Sequence, residues 1–334
     1  MTANEVTRLL QHYVDKSRVL PWRSPPGNAP PDPYHVWLSE IMLQQTTVAA
    51  VIPRFEQFVR RWPTLEALAA AEDSDVLGEW AGLGYYARAR NLIACARQVA
   101  AMGGFPASAA ELCQLPGIGA YTSSAVAAIA FGEAAPAVDA NIARVISRFH
   151  ALAEPSPADL EARMREIVAA GPPGDLVQAM MDLGATICGP ARPRCDLCPL
   201  RARCGAFATG DPGAFPAARQ RKVRPQRFGL AYWVERDGAV WLVRRPARGL
   251  LGGMAALPGD DWCAVEPIAG DGPRVRHVFT HFALELAIFE RPEPVGEGWW
   301  QPLDTLDQAG LPTLYRRAVA AVLEDRSSRL PRAA

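Results

Sequence analysis

Apolar residues recur every three and four positions over Tyr34–Val51, Tyr85–Met102, Tyr121–Phe131 and Pro157–Ala170. That is the spacing of one helical face, and it predicts a helix over each stretch. Asp32-Pro33 supplies an N-cap and a first-turn proline for the first of them. Gly103-Gly104, Pro155-Ser156-Pro157 and Gly171-Pro172-Pro173-Gly174 supply breaks. From Phe207 to Pro225 the period disappears into Gly, Pro, Ala and Arg, the pattern of a linker. Beyond it, Phe228–Glu235 and Ala239–Arg245 flank Arg236-Asp237-Gly238, a hairpin signal. Arg274–Phe279 and Phe282–Phe289 read as further strands, and Leu314–Leu323 as a closing helix. The pattern therefore predicts a multi-domain chain: an all-α domain over 1–206, a linker over 207–226 and a smaller α+β domain over 227–334. No internal repeat is visible.

Composition sets outer limits on this picture. Apolar residues make up 49% of the 334 and charged residues 21%, which suits packed globular domains of two or more. No apolar run approaches the roughly 20 residues of a membrane span, and the N-terminus has no apolar signal-peptide core. The expectation is a monomer of the cytoplasm without membrane association. The net charge of zero argues, by itself, against a nucleic-acid partner. The charge is unevenly spread, however. Between Ala185 and Arg227 lie Arg192, Arg194, Arg201, Arg203, Arg219, Arg221, Lys222, Arg224 and Arg227, opposed only by Asp196 and Asp211. That stretch carries +7 against −7 for the remainder, and a basic stripe of this kind can hold a polyanion whatever the global sum. A solvated, flexible linker has the same composition; if the stripe does hold a polyanion, the binding weakens steeply in a salt titration despite the neutral total.

Four of the seven cysteines are clustered: Cys188, Cys195, Cys198 and Cys204, with gaps of six, two and five residues. Four thiolates in one short loop will hold a tetrahedral zinc or an iron–sulfur cluster. Cys95, Cys113 and Cys263 lack such spacing and read as buried apolar residues.

Three segments carry candidate chemistry. In Leu115-Pro116-Gly117-Ile118-Gly119-Ala120-Tyr121-Thr122, Gly117 and Gly119 allow a tight turn and remove Cβ atoms that would block a ligand. The amides of the turn and of the following helix then suit an anion such as a backbone phosphate, although an ordinary helix–turn–helix corner has the same pattern. Asp139, in Ala137-Val138-Asp139-Ala140-Asn141-Ile142, sits where an apolar run meets an amphipathic helix, a place that suits a plain N-cap as well as a functional carboxylate. Glu40 lies within Trp37-Leu38-Ser39-Glu40-Ile41-Met42-Leu43-Gln44-Gln45-Thr46-Thr47. An apolar setting raises a carboxyl pKa and suits it to donate a proton, and the Gln and Thr side chains could reach base edges.

Together, the helical domain, glycine hairpin, downstream Asp and Cys-x6-Cys-x2-Cys-x5-Cys loop resemble the helix-hairpin-helix DNA glycosylases with an iron–sulfur cluster. Pro21-Trp22-Arg23, the Ser-Glu-Ile-Met-Leu-Gln-Gln-Thr run at Glu40 and Gly82-Leu83-Gly84-Tyr85-Tyr86-Ala87-Arg88 are similar to the adenine-specific MutY family within that superfamily. The resemblance implies a base-excision enzyme that flips adenine out of duplex DNA, where it lies opposite 8-oxoguanine or guanine, and hydrolyses its N-glycosidic bond. It implies a 4Fe-4S cluster on Cys188, Cys195, Cys198 and Cys204, and a protein at work on the nucleoid. Glu40 would protonate the adenine and manage the water, and Asp139 would stabilise or trap the cation-like sugar, as two carboxyls do on ordinary glycosides. Tyr121 and Asn141 would support them. Trp22, Arg23 and Gln178 would line the adenine pocket, and Gln45 and Tyr86 would push into the duplex. Gly117 and Gly119 would take the DNA backbone. Relatives that cleave the strand carry a lysine where this chain has Tyr121; a phenol forms no Schiff base, so the resemblance implies a monofunctional enzyme.

The second domain resembles the Nudix hydrolases in the form that reads 8-oxoguanine, with Phe279, Thr280 and His281 in the recognition loop. The family usually has Phe-Ser-His there. The spaced glutamates of a Nudix catalytic box are missing from Leu250–Pro273, so the resemblance implies no pyrophosphatase activity. Ala140 stands where the family commonly has Gly, and the Ser24–Pro33 insert lengthens the approach to Glu40. The rival readings are a related glycosylase acting on another mismatched or oxidised base, and a DNA-binding protein whose cluster senses redox state.

Overall fold

The helix bearing Glu40 is apolar on nearly every side, and that sequence feature organises the first part of the structure. The protein is described here from a computed structural model that covers residues 1–80, 82–217, 223–246, 249–267, 272–279 and 281–329. It divides into two units, Met1–Arg219 and Gln220–Ala334. The first unit is helical: α1 (Ala3–Lys16), α2 (Pro33–Leu43), α3 (Val48–Arg61), α4 (Leu65–Ala69), α5 (Asp73–Glu79), α6 (Ala87–Met102), α7 (Ala109–Leu112), α8 (Ala120–Phe131), α9 (Ala140–Phe149), α10 (Pro157–Val168), α11 (Pro173–Thr186) and α12 (Gly205–Ala208).

Every residue of α2 from Val36 to Met42 is buried, because a helix apolar all round must be surrounded. Its neighbour α8 is rich in small residues, among them Ala120, Thr122, Ser123, Ser124 and Ala125, which admit close helix packing. Both α2 and α11 pack on α8, and α1 and α9 pack on α11. Trp37, Trp80, Phe55 and Phe58 fill the core between these helices and the outer ones. Each such side chain contributes about 1.5–3 kcal/mol by leaving water.

The helix expected over Tyr34–Val51 is two helices. It stops at Leu43, Gln45 takes a left-handed φ of 58°, and α3 begins at Val48. The apolar period runs across the break because α2 is buried all round whereas α3 buries only one face, through Val51, Phe55 and Phe58. The Ser24–Pro33 insert forms an irregular loop whose end, Asp32, caps α2 by accepting from the Tyr34 amide at 2.8 Å. Ala140 is the first residue of α9 and has no left-handed backbone, so alanine fits where the family commonly has glycine.

The second unit contains β1 (Gln226–Trp233), β2 (Glu235–Arg236), β3 (Ala239–Arg244), β4 (Ala255–Ala256), β5 (Arg274–Val278), β6 (Ala283–Glu290), β7 (Gly298–Pro302) and α13 (Thr313–Arg329). One sheet has the order β1-β6-β5, with β1 parallel and β5 antiparallel to β6. The other is centred on β3, which pairs antiparallel with β2, β4 and β7. Asp237 (φ 50°) and Gly238 (φ 73°) make the two-residue turn between β2 and β3, the left-handed pair that an Asp-Gly hairpin needs. Trp233, Leu242, Leu284, Leu286 and Leu314 form the core of this unit, and α13 packs on β5 and β6.

Candidate active site

A cavity of about 630 Å³ opens in the helical unit. Glu40, Tyr121, Asp139 and Asn141 line it, as do Trp22, Arg23, Gln45 and Gln178. Four elements converge there: α2 brings Glu40, the start of α8 brings Tyr121, the start of α9 brings Asp139 and Asn141, and α11 brings Gln178.

Glu40 is 8% exposed. Burial pushes its carboxyl up to about 7; the Tyr121 phenol donates a hydrogen bond to it and Arg23 attracts it, both lowering it, while Asp139 repels its charge. Burial, the adjacent carboxylates and the bond to Glu40 raise the Tyr121 phenol well above its usual range, so its proton stays in place. The pair thus holds a titrating proton near neutrality beside a donor that does not titrate.

Asp139 is the N-cap of α9, as a simple reading of the sequence allows, and it also faces the cavity. Its Oδ1 accepts from the Ile142 amide at 2.7 Å and its Oδ2 from Asn141 Nδ2 at 3.0 Å. Asn141 Oδ1 in turn accepts from Arg144 at 2.8 Å, and Arg144 donates to the carbonyls of Gly184 and Cys188, each at 2.7 Å. A chain of hydrogen bonds therefore joins the Asp139 carboxylate to the backbone of the first clustered cysteine. Gly184 lets α11 come this close: a Cβ there would lie 2.6 Å from Asn141 Cβ.

On the opposite wall, Arg23 is held by Asp182, whose two oxygens accept from Arg23 NH1 at 3.0 and 2.9 Å. Asp182 also accepts from the Arg18 amide at 2.9 Å and from Arg18 Nε at 2.7 Å. Breaking such a buried pair from one side typically costs about 3–5 kcal/mol, because a charge is left without a partner. Gln178 is 4% exposed and donates through Nε2 to the Gly174 carbonyl at 3.1 Å. That carbonyl can only accept, which fixes the amide orientation and leaves Oε1 buried, unpartnered within the protein and at the cavity.

Gly117 has φ 75°, and a Cβ there would meet Asn91 Cβ at 2.6 Å, so both backbone and packing demand glycine. Gly119 differs. It is the extended N-cap of α8, and a Cβ there would meet nothing within 4 Å. The first turn of α8 has no side-chain cap, and its amides lie behind that open space.

The four clustered thiols line a second, smaller cavity with Arg148, Arg201, Phe207 and Pro193. Arg148 NH1 approaches Cys188 Sγ at 3.4 Å and donates to the Gly189 carbonyl at 2.6 Å. The donor set is four thiols with no imidazole or carboxylate, and among the described residues no group of three is placed to hold a single metal ion. Of the other cysteines, Cys95 is buried as expected, but Cys113 and Cys263 are exposed. Cys113 ends the one-turn helix α7 and Cys263 lies in an irregular segment bridged to Phe228, so neither is carried into a core.

The remaining expected site residues lie elsewhere. Tyr86 precedes α6 and packs against the core, whereas Tyr85, with φ 50°, is 53% exposed. Phe279 belongs to the second unit, where it stacks on Trp262 with ring centroids 5.3 Å apart. His281 is exposed in the turn between β5 and β6, and Thr280 lies outside the described residues. Sequence reasoning missed Asp182, Arg144, Arg88 and Tyr85. Asp182 had a visible signal, an acid inside the apolar run Met180-Met181-Asp182-Leu183, and Tyr85 and Arg88 stood in the Gly82–Arg88 segment already singled out, without a role of their own.

Residues 38–170 match the family described as HhH-GPD superfamily base excision DNA repair protein, and residues 229–321 match the NUDIX domain. Fold and site thus define a helix-hairpin-helix base-excision repair protein with a Nudix-like second unit. The human adenine DNA glycosylase is 36% identical over 84% of this chain and 65% of its own length. The mouse enzyme is 35% identical over 85% and 69%, and the Mycolicibacterium smegmatis enzyme 40% identical over 64% and 73%. The chain belongs to the adenine DNA glycosylase family, whose members are hydrolases that cleave an N-glycosidic bond. A thermostable thymine-DNA glycosylase superposes with a TM-score of 0.54 at 29% identity, over 61% of this chain and 95% of its own. An endonuclease III–DNA complex shares the fold, with a TM-score of 0.53 at 22% identity over 63% and 98%. Among the described residues no helix is long and apolar enough to cross a membrane.

Proposed function

We propose that the protein removes adenine lying opposite 8-oxoguanine or guanine in duplex DNA, as a monofunctional glycosylase. The observation that carries this reading is one cavity lined by a near-neutral acid, a second carboxylate and an unsatisfied buried acceptor: Glu40, Asp139 and Gln178. Gln178 Oε1 needs a donor, which the exocyclic amino group of adenine supplies and the carbonyl of thymine does not. Glu40 gives its proton to the departing base, whose ring nitrogens are acceptors, and water then adds to the sugar carbon as the bond to the base breaks, its proton returning to the Glu40 carboxylate. Asp139, held from two sides, places negative charge beside the cation-like sugar and stays oriented by Asn141 and Arg144. Arg23, fixed by Asp182, and Trp22 shape the wall against which the base lies. The target nucleotide must leave the stack to enter, at a cost of a few kcal/mol. Gln45 and Tyr85 offset this by occupying the space left behind, Tyr85 taking the part expected of Tyr86. The amides behind Gly119 take a backbone phosphate.

The four thiols fit a 4Fe-4S cluster. Four thiols suit zinc as well as a cluster; their spread around a cavity, with no three placed to hold one ion among the described residues, supports the polynuclear centre, and Arg148 and Arg201 offset its negative charge. Cys188, Cys195, Cys198 and Cys204 would hold it, and it would brace the loop on which the Arg144 hydrogen bonds depend. In the second unit Phe279, Thr280 and His281 would read the partner base.

Duplexes with adenine opposite 8-oxoguanine, guanine or cytosine, beside a thymine-glycol duplex, test the assignment after alkali treatment. Cleavage is expected at adenine opposite 8-oxoguanine and guanine; preference for thymine glycol would favour the rival glycosylase. Tyr121→Lys places an amine where strand-cleaving relatives have one, and is expected to yield borohydride-trappable protein–DNA adducts. Efficient trapping by the unmodified chain would overturn the monofunctional reading.

A further inference from the structure

Five non-glycine residues among the described ones adopt a left-handed backbone, and two of them stand in loops joined by a single arginine. Gln45 (φ 58°) lies in the turn between α2 and α3, and Tyr85 (φ 50°) in the loop before α6. Both are exposed. Residues without glycine's freedom hold such conformations only where the surroundings impose them, and they collect at functional sites. Arg88 supplies the constraint here. Its NH1 donates to the carbonyls of Ile41 at 2.9 Å and Met42 at 3.0 Å, in the last turn of α2. Its NH2 donates to Thr46 Oγ1 at 3.2 Å, and to the carbonyls of Leu83 at 2.8 Å and Gly84 at 3.3 Å. The guanidinium also lies over the rings of Trp80 and Tyr85, 5.3 and 5.6 Å from their centroids. Trp80 closes the clasp by donating to the Gly84 carbonyl at 3.0 Å. Burial lowers the Arg88 pKa to about 10, which still leaves it charged at neutral pH.

We propose that Arg88 is a positioning residue that clasps the Gln44–Thr47 turn to the Gly82–Tyr86 loop, so that Gln45 and Tyr85 act as one rigid wedge and set how readily the target nucleotide leaves the duplex. This rests on the reading of the chain as a base-extruding glycosylase. The planar fork is essential to it, since five acceptors, two at the end of α2 and three on the two loops, cannot be spanned by a single ammonium. Arg88 does not touch the cavity, so the step it governs is extrusion and not bond cleavage.

The test compares adenine opposite guanine with adenine opposite an abasic site, where no pairing and only stacking within its own strand opposes extrusion. Single-turnover release is measured on both, and 2-aminopurine fluorescence reports extrusion directly. Arg88→Lys and Arg88→Met are expected to slow release at least about tenfold on the paired duplex but less than about threefold on the abasic-opposed one, with a matching loss of the fluorescence rise. Lysine is expected not to rescue. Thr46→Val removes one half-buried Arg88 contact, at a residue that also lines the cavity, and is expected to show the same selective loss, smaller, should either Arg88 variant fail to fold. In a Gln45→Ala, Tyr85→Ala background, adding Arg88→Lys is expected to cost almost nothing more. Equal losses on the two duplexes, no loss on either, or full additivity in that background would overturn the proposal. Failure of the unmodified chain to release adenine from either duplex would instead overturn the function on which it rests.

Discussion

Glu40→Gln will bind duplex DNA with nearly unchanged affinity and release adenine at least about a thousandfold more slowly, within the span that general acid catalysis supplies. The amide fills the same space and can still accept from Tyr121, but it has no proton to give. Burial puts the carboxyl pKa at about 7, so the protonated, active form is lost as pH rises through neutrality. The unmodified enzyme's single-turnover rate will therefore fall above about pH 7, and the residual rate of the Gln variant will not follow that limb. Stability falls with rising pH as well. The folded-state pKa is raised above its ordinary 4.5, so the folded protein holds the proton more tightly than the unfolded chain. Stability contributed by the neutral carboxyl is full below about 4.5 and is lost as pH rises to about 7. Glutamine cannot ionise and escapes that loss, which amounts to about 3 kcal/mol at its upper limit. Denaturant unfolding at pH 8 will show Glu40→Gln more stable than the parent, and at pH 4 the difference will vanish.

Asp139→Asn separates two roles that one residue combines. Asparagine caps helices as well as aspartate does, and its Oδ1 can still accept from the Ile142 amide, so α9 will keep its start; its Nδ2 then faces the Asn141 Nδ2 donor, and the loss of that one bond is expected to cost about 1–2 kcal/mol of stability without unfolding the protein. The negative charge beside the sugar will be gone. Adenine release is expected to drop by at least about a thousandfold, as when a preorganised charge is removed from a reacting centre. Gel-shift affinity for a duplex with adenine opposite 8-oxoguanine will remain within a few fold. A variant with normal stability and near-normal release would reduce Asp139 to the N-cap that its sequence position also allows.

Legibility in the sequence followed the range of the interactions. Glu40 and Asp139 stood out because each is a carboxylate in an apolar stretch, and the cysteines because their spacing is local. The hairpin at Asp237-Gly238 was readable because a two-residue turn is a local choice of backbone. What stayed hidden joins distant parts of the chain. Asp182 holds Arg23 across 159 positions, and Arg144 reaches the Cys188 carbonyl across 44. Arg88 meets Ile41 across 47. No periodicity marks such partners. The break in the Tyr34–Val51 helix escaped for a related reason: apolar spacing continues through Gln44–Thr47, while Arg88 takes the carbonyls that would have carried the last turn of α2 onward. The choice between Tyr85 and Tyr86 depends on one backbone angle, and adjacent identical residues give no sign of which turns outward.

The central claim is that this chain's paired carboxyls hydrolyse the bond between adenine and its sugar. The measurement that addresses it most directly is product analysis, under single-turnover conditions, of a duplex bearing adenine opposite 8-oxoguanine. Free adenine is expected to appear in equal amount with abasic sites, with no strand break before alkali, and neither product is expected with Glu40→Gln or Asp139→Asn. Release of another base, strand cleavage without alkali, or undiminished adenine release by either variant would contradict it.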